Sequence, residues 1–127
     1  MSQINFPLCQ TIDSLAFNGC KSLTQINFPV CTKVGYMAFT GCSHLSQVNM
    51  SSCISIGSYG FKNCDLLTQI SFPICTTIGG SAFETCYRLS QADFPKCTTI
   101  NSYAFYNCSS LNQISFPRCI TIGNSAF

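Results

Sequence analysis

Apolar and polar positions along this chain follow one pattern, written almost six times. Gln3, Gln25, Gln47, Gln69, Gln91 and Gln113 lie 22 residues apart, and so do Phe17, Phe39, Phe61, Phe83, Phe105 and Phe127. A fixed period of this length marks one small unit stacked on copies of itself, a solenoid, because no single unit can bury its own apolar face. Counted from Met1, the copies begin at residues 1, 23, 45, 67, 89 and 111, the last being incomplete. Residues 1–127 are therefore expected to form a single solenoid domain of about six 22-residue repeats, without caps.

Within the unit, position 1 is Met or Leu and position 4 is Ile4, Ile26, Val48, Ile70, Ala92 or Ile114. Position 6 is Phe6, Phe28, Met50, Phe72, Phe94 or Phe116. Apolar residues at 4 and 6, with Gln at 3 and Asn, Ser or Asp at 5, alternate with period two and predict a short strand. Stacked copies then form a parallel sheet with adjacent strands about 4.8 Å apart. Pro7, Pro29, Pro73, Pro95 and Pro117 follow the strand, and proline cannot donate to a ladder, so it ends the strand. Repeat three departs here with Met50-Ser51-Ser52.

Position 12 is always Ile or Val, and position 13 is Asp13, Gly35, Gly57, Gly79, Asn101 or Gly123. These residue types tolerate positive φ or cap a helix. The following stretch, as in Ser81-Ala82-Phe83, reads as one helical or 3₁₀ turn that tucks Ala and Phe inward. The predicted architecture is thus a parallel sheet on one face and short helical turns on the other.

Composition changes this picture in one respect. The chain is 46% apolar but only 8% charged, with net charge +2, against roughly 25% charged residues in an ordinary soluble domain. Ser, Thr, Asn and Gln must cover the surface. Lys21, Lys33, Lys62, Arg88, Lys96 and Arg118 are scattered through the repeat, so the dense basic stripe a nucleic-acid partner demands is missing. No apolar run reaches about 18 residues, so no membrane-spanning helix is expected. Met1 leads directly into repeat sequence, so no signal peptide is expected.

Leu23, Ile26, Phe28 and Cys31 fit the leucine-rich-repeat signature. The stretch Phe72-Pro73-Ile74-Cys75-Thr76-Thr77-Ile78-Gly79, through Ala82-Phe83 and Cys86, resembles the BspA-like subclass, with its Pro after the strand, then Ile-Gly, Ala-Phe and Cys. The resemblance recurs in every repeat. It implies a horseshoe or flattened right-handed coil, a cell-surface or extracellular location, and a non-catalytic role in adhesion or protein binding.

Eleven cysteines fall in two columns. Cys9, Cys31, Cys53, Cys75, Cys97 and Cys119 form one, and Cys20, Cys42, Cys64, Cys86 and Cys108 the other. An odd number cannot pair completely within one chain. The columns read first as ladders of small buried hydrophobes whose S–H groups bond weakly to carbonyls. Disulfides remain open, because in-register Cα atoms about 4.8 Å apart fall within the permitted window, although the Cβ vectors run parallel. Metal binding is disfavoured by the 11-residue spacing and the single histidine, His44. No cofactor is expected.

Two surfaces are candidates for binding. The outward column of Gln3, Gln25, Gln47, Gln69, Gln91 and Gln113, with Asn5, Asn27 and Asn49 beside it, reads as an amide ladder that hydrogen-bonds along the stack. Its other reading is a polar strip for a repetitive ligand, but it lacks the aromatic and Arg anchors that dominate hot spots. Tyr36, Tyr59, Tyr87, Tyr103 and Tyr106 lie in the variable, convex part of the unit and are the better candidates for a specific protein partner. The competing reading is that they merely cover the outer turn. His44 stands alone, Asp13, Asp65, Glu84 and Asp93 form no obvious pair, and Gly79-Gly80 is turn chemistry rather than a phosphate loop. Neither catalysis nor a small-molecule substrate is expected. A second function remains open: copies of the chain could stack through uncapped ends, and head-to-tail stacking yields filaments.

Overall fold

The computed structural model describes residues 2–127. Each repeat contributes two short strands rather than one. The first set is β1 Gln3–Asn5, β3 Gln25–Asn27, β5 Gln47–Asn49, β7 Gln69–Ser71, β9 Gln91–Asp93 and β11 Gln113–Ser115. The second set is β2 Thr11–Ile12, β4 Lys33–Val34, β6 Ser55–Ile56, β8 Thr77–Ile78, β10 Thr99–Ile100 and β12 Thr121–Ile122. All pairing is parallel and in register, Gln3 with Gln25, Thr99 with Thr121. The chain is a coil of strands in which each strand residue sits over its counterpart in the next repeat. The second set was foreshadowed by its Thr–Ile dipeptides, since both residues are β-branched and favour a pleated surface.

The second set forms one continuous six-stranded sheet, β12-β10-β8-β6-β4-β2. The first set does not. It is divided into β1-β3-β5 and β11-β9-β7, with no ladder between β5 and β7.

The expected helical turn is not formed among the described residues. Backbone N–H groups after position 13 alternate in direction instead. Those of Tyr59, Phe61 and Asn63 donate to Gly80, Ala82 and Glu84 of the next repeat. Those of Gly60, Lys62 and their counterparts fold back three residues, as Gly60 to Gly57 and Ala82 to Gly79. A helix would spend all these donors inside its own turn, leaving nothing to join repeats. The alternation requires left-handed residues, and they occur at position 15, from Leu15 (φ 64°) to Ser125 (φ 50°), and at position 19, as Gly41 (φ 75°) and Thr85 (φ 59°).

Position 13 is not left-handed, so its glycines serve another purpose. A Cβ on Gly57 would stand 2.8 Å from the carbonyl carbon of Gly35, and one on Gly79 would stand 2.5 Å from the backbone nitrogen of Ser58. Glycine is there because adjacent coils touch backbone to backbone.

The core fills the space between the two sheets and the turns. Leu at position 1, the apolar residues at 4, 6 and 12, Ala at 16, Phe at 17 and both cysteine columns are buried in the interior repeats, except that Val48 is half-buried. Phe17, Phe39, Phe61, Phe83, Phe105 and Phe127 stack in one unbroken column with centroids 5.2–5.5 Å apart. Phe28, Phe72 and Phe94 meet it at steeper angles, as in the 69° contact of Phe83 with Phe94, so offset stacking runs along the coil and edge contacts run across it.

Candidate functional site

The tyrosines lie on the turns, Tyr59 and Tyr103 at the left-handed position 15, Tyr36 at 14, Tyr106 at 18 and Tyr87 at 21. Four of the five fall into two groups. Tyr36 and Tyr59 meet edge to face at 5.8 Å, and the Lys62 ammonium sits 5.3 Å from the Tyr59 ring. Lys62 also pairs with Glu84 of the next repeat at 3.2 Å. In repeat five Tyr103 meets Tyr106 edge to face at 5.4 Å. Between them in register lies Ser81, a buried small residue. The result is a strip spanning repeats two to five: two aromatic pairs flanking one ion pair. Tyr36, Tyr103 and Tyr106 are exposed. Tyr87 is also exposed but forms no aromatic pair with them. Sequence reasoning missed Lys62 and Glu84, whose positions 18 in successive repeats were a readable signal.

The amide column behaves differently. Asn27 Nδ2 donates to Asn5 Oδ1 at 2.8 Å, and Asn49 Nδ2 donates to Asn27 Oδ1 at 2.5 Å. No side-chain hydrogen bond joins Gln3, Gln25, Gln47, Gln69, Gln91 or Gln113 among the described residues. The shorter Asn side chain reaches its neighbour across one strand spacing with fewer torsions to fix. The glutamines remain as solvated cover, exposed except for Gln25 and Gln91, which are half-buried.

All eleven cysteines are free thiols. In the first column each Sγ donates to the carbonyl two residues on, as Cys31 to Lys33 at 3.3 Å and Cys75 to Thr77 at 3.4 Å. In the second, Cys42, Cys64, Cys86 and Cys108 reach back to the position-17 carbonyl of the preceding repeat, as Cys86 to Phe61 at 3.2 Å and Cys108 to Phe83 at 3.0 Å. Burial pushes the Cys42 and Cys108 thiols up to about 12 and that of Cys97 up to about 11. Cys64 and Cys86 are raised by the same cause. Cys53 is raised by its hydrogen bond with the Cys75 thiol and by burial. A protonated, desolvated thiol is a poor nucleophile and a poor metal ligand. No cluster of three or more His, Cys, Asp or Glu side chains is placed to hold a metal among the described residues. No helix there is long and apolar enough to cross a membrane.

A 22-residue coil of this kind has counterparts among known proteins. The description of the BspA type leucine-rich repeat region matches in six copies, over residues 1–97 and 32–127. The chain belongs to the BspA-type leucine-rich repeat family. No curated protein matches it. A leucine rich cell surface protein from Faecalibacterium prausnitzii A2-165 is similar in structure, with TM-score 0.90 and 31% identity, covering 100% of this chain and 36% of that one. A leucine-rich repeat protein from Bacteroides ovatus ATCC 8483 gives TM-score 0.83 and 32% identity, covering 93% of this chain and 32% of that one. The leucine rich repeat protein of T. pallidum shares the fold, with TM-score 0.71 at 22% identity, over 97% of this chain and 71% of that one. The chain thus spans about a third of the length of the first two relatives.

Proposed function

We propose that this BspA-type solenoid is a non-catalytic protein-binding or adhesion module acting at a cell surface. The tyrosine strip carries the reading. On a surface with 8% charged residues, it gathers exposed aromatic rings and an ion pair, and aromatic and charged groups are the ones that anchor protein interfaces. Its support as a surface protein is the family and the relative described as a leucine rich cell surface protein. The test is surface plasmon resonance of the chain against a panel of extracellular-matrix proteins. A bound partner should be lost about tenfold to a hundredfold on Tyr103→Ala/Tyr106→Ala, and retained on Gln69→Ala/Gln113→Ala. The opposite pattern would move the site to the strand face, and no binding at all would sink the reading.

A further inference from the structure

Among the described residues, the strand ladders that join one repeat to the next are continuous except at one place. The strand face is interrupted between repeats three and four, where β5 and β7 do not pair. In the intact ladders Gln47 N–H bonds Thr24 C=O and Gln91 N–H bonds Thr68 C=O. Likewise Phe28 N–H bonds Asn49 C=O and Phe72 N–H bonds Asp93 C=O. By the same register, Gln69 N–H should meet Ser46 C=O and Met50 N–H should meet Ser71 C=O, and neither bond is present among the described residues.

Three independent changes in composition coincide with the break. The ring column at position 6, stacked from Phe6 to Phe28 and from Phe72 through Phe116, is interrupted by Met50. The proline that ends the first strand is replaced by Ser51. The Asn amide ladder stops at Asn49, with Ser71 and Asp93 following. Val48 is half-buried in consequence, where Ile26, Ile70 and Ala92 at the same position are buried.

On the other side of the coil the same two repeats are tightly joined. Gly79 N–H bonds Ile56 C=O at 2.8 Å, Tyr59 bonds Gly80 at 2.9 Å and Phe61 bonds Ala82 at 2.7 Å. Lys62 and Glu84 add an ion pair across that junction. A joint held on one side and unpaired on the other is a hinge.

We propose that the solenoid opens and closes at this one seam, pivoting on the β6–β8 ladder and the outer turns, so that its strand face consists of two rigid three-stranded plates. Met50 and Ser51 cause the seam. A flexible thioether replaces a stacked ring, and an unconstrained backbone replaces a strand end fixed by proline. Ser46 C=O, Met50 N–H, Gln69 N–H and Ser71 C=O take water as their partner when it is open.

Amide hydrogen exchange by NMR on the whole chain tests this directly. The amides of Met50 and Gln69 should exchange at least about tenfold faster than those of Phe28 and Gln91, while Phe61 and Gly79 remain protected. Equal protection of Gln69 and Gln91 would overturn the proposal, because the seam would then be shut in solution. Exchange of Phe61 and Gly79 as fast as Gln69 would also overturn it, since the halves would be separating rather than hinging. In Met50→Phe/Ser51→Pro, the Gln69 amide should slow to the rate of Gln91. A folded double variant in which Gln69 stays fast would overturn the assignment to these two residues. If that variant does not fold, the wild-type comparison of Gln69 with Gln91 still decides the seam.

Discussion

The backbone conformations at positions 13 and 19 of the repeat demand opposite things of their residues. At the glycines of position 13 the chain passes so close to a neighbouring coil that an added Cβ would collide with backbone, whereas Asp13 and Asn101 occupy the same position of their own repeats. At position 19 the backbone is left-handed, and Gly19 and Gly41 meet that requirement, whereas Thr85 at φ 59° does not. A β-branched side chain in that region is strained by about 1–2 kcal/mol. The two sites therefore predict effects of opposite sign. Gly57→Ala should destabilise the fold by about 2 kcal/mol or more, because the obstructing atoms are backbone and cannot rotate away. Thr85→Gly should leave stability unchanged or raise it by up to about 1 kcal/mol, the relief of strain being offset by the lost hydroxyl bond to Glu84 C=O and by glycine's greater freedom when unfolded. Urea midpoints of the two variants measure both.

At the level of the element, the unit of stability is the column rather than the strand. Strands of two or three residues bury little alone, so the stacked Phe column joins each repeat to the next. Phe83 touches Phe61 and Phe105 at 5.3 and 5.2 Å and is fully buried, whereas Phe127 has a ring on one side only along the column. Phe83→Ala should cost about 3–5 kcal/mol. Phe127→Ala should cost well under half of that in a chemical denaturation curve, since its ring is already half in water. The columns were legible in the sequence because a strict period places identical residues in register, and so were the first strand and its proline stop. What was not legible was how the turn spends its hydrogen bonds. Ser81-Ala82-Phe83 has the composition of a helical turn, and only the demand that alternate N–H groups reach the next coil excludes a helix. The tyrosine strip was half legible. The sequence located the rings in the variable turn, but the pairing of Tyr36 with Tyr59 depends on a left-handed residue at position 15 that no glycine announces. The seam was marked by Met50-Ser51-Ser52, yet its effect on pairing is a matter of how a thioether in place of a ring packs within the position-6 column, which the period does not encode.

For the whole molecule, the two thiol ladders set how stability responds to alkali. In the unfolded chain a cysteine ionises near pH 8.5. In the fold Cys42 and Cys108 ionise at about 12 and Cys97 at about 11, because burial disfavours the thiolate. Between these values the unfolded state has released protons that the folded state still holds. Stability therefore falls as pH rises wherever the native state binds more protons. The contribution is fully present below about pH 8.5 and is lost progressively toward pH 11 to 12. Carboxylates add little to the opposite limb, since the chain has only four. The expected curve is a plateau from mildly acidic pH to about 8, followed by an alkaline decline steepened by each thiol that burial pushes up, while Cys75, held down by its hydrogen bond with Cys53, acts in the opposite sense. Thermal midpoints from pH 6 to 10.5 measure it, and Cys86→Ala/Cys108→Ala, though less stable at pH 7, should show a shallower alkaline slope. A slope unchanged by removing two buried thiols would mean that the thiol ladders do not govern the alkaline transition.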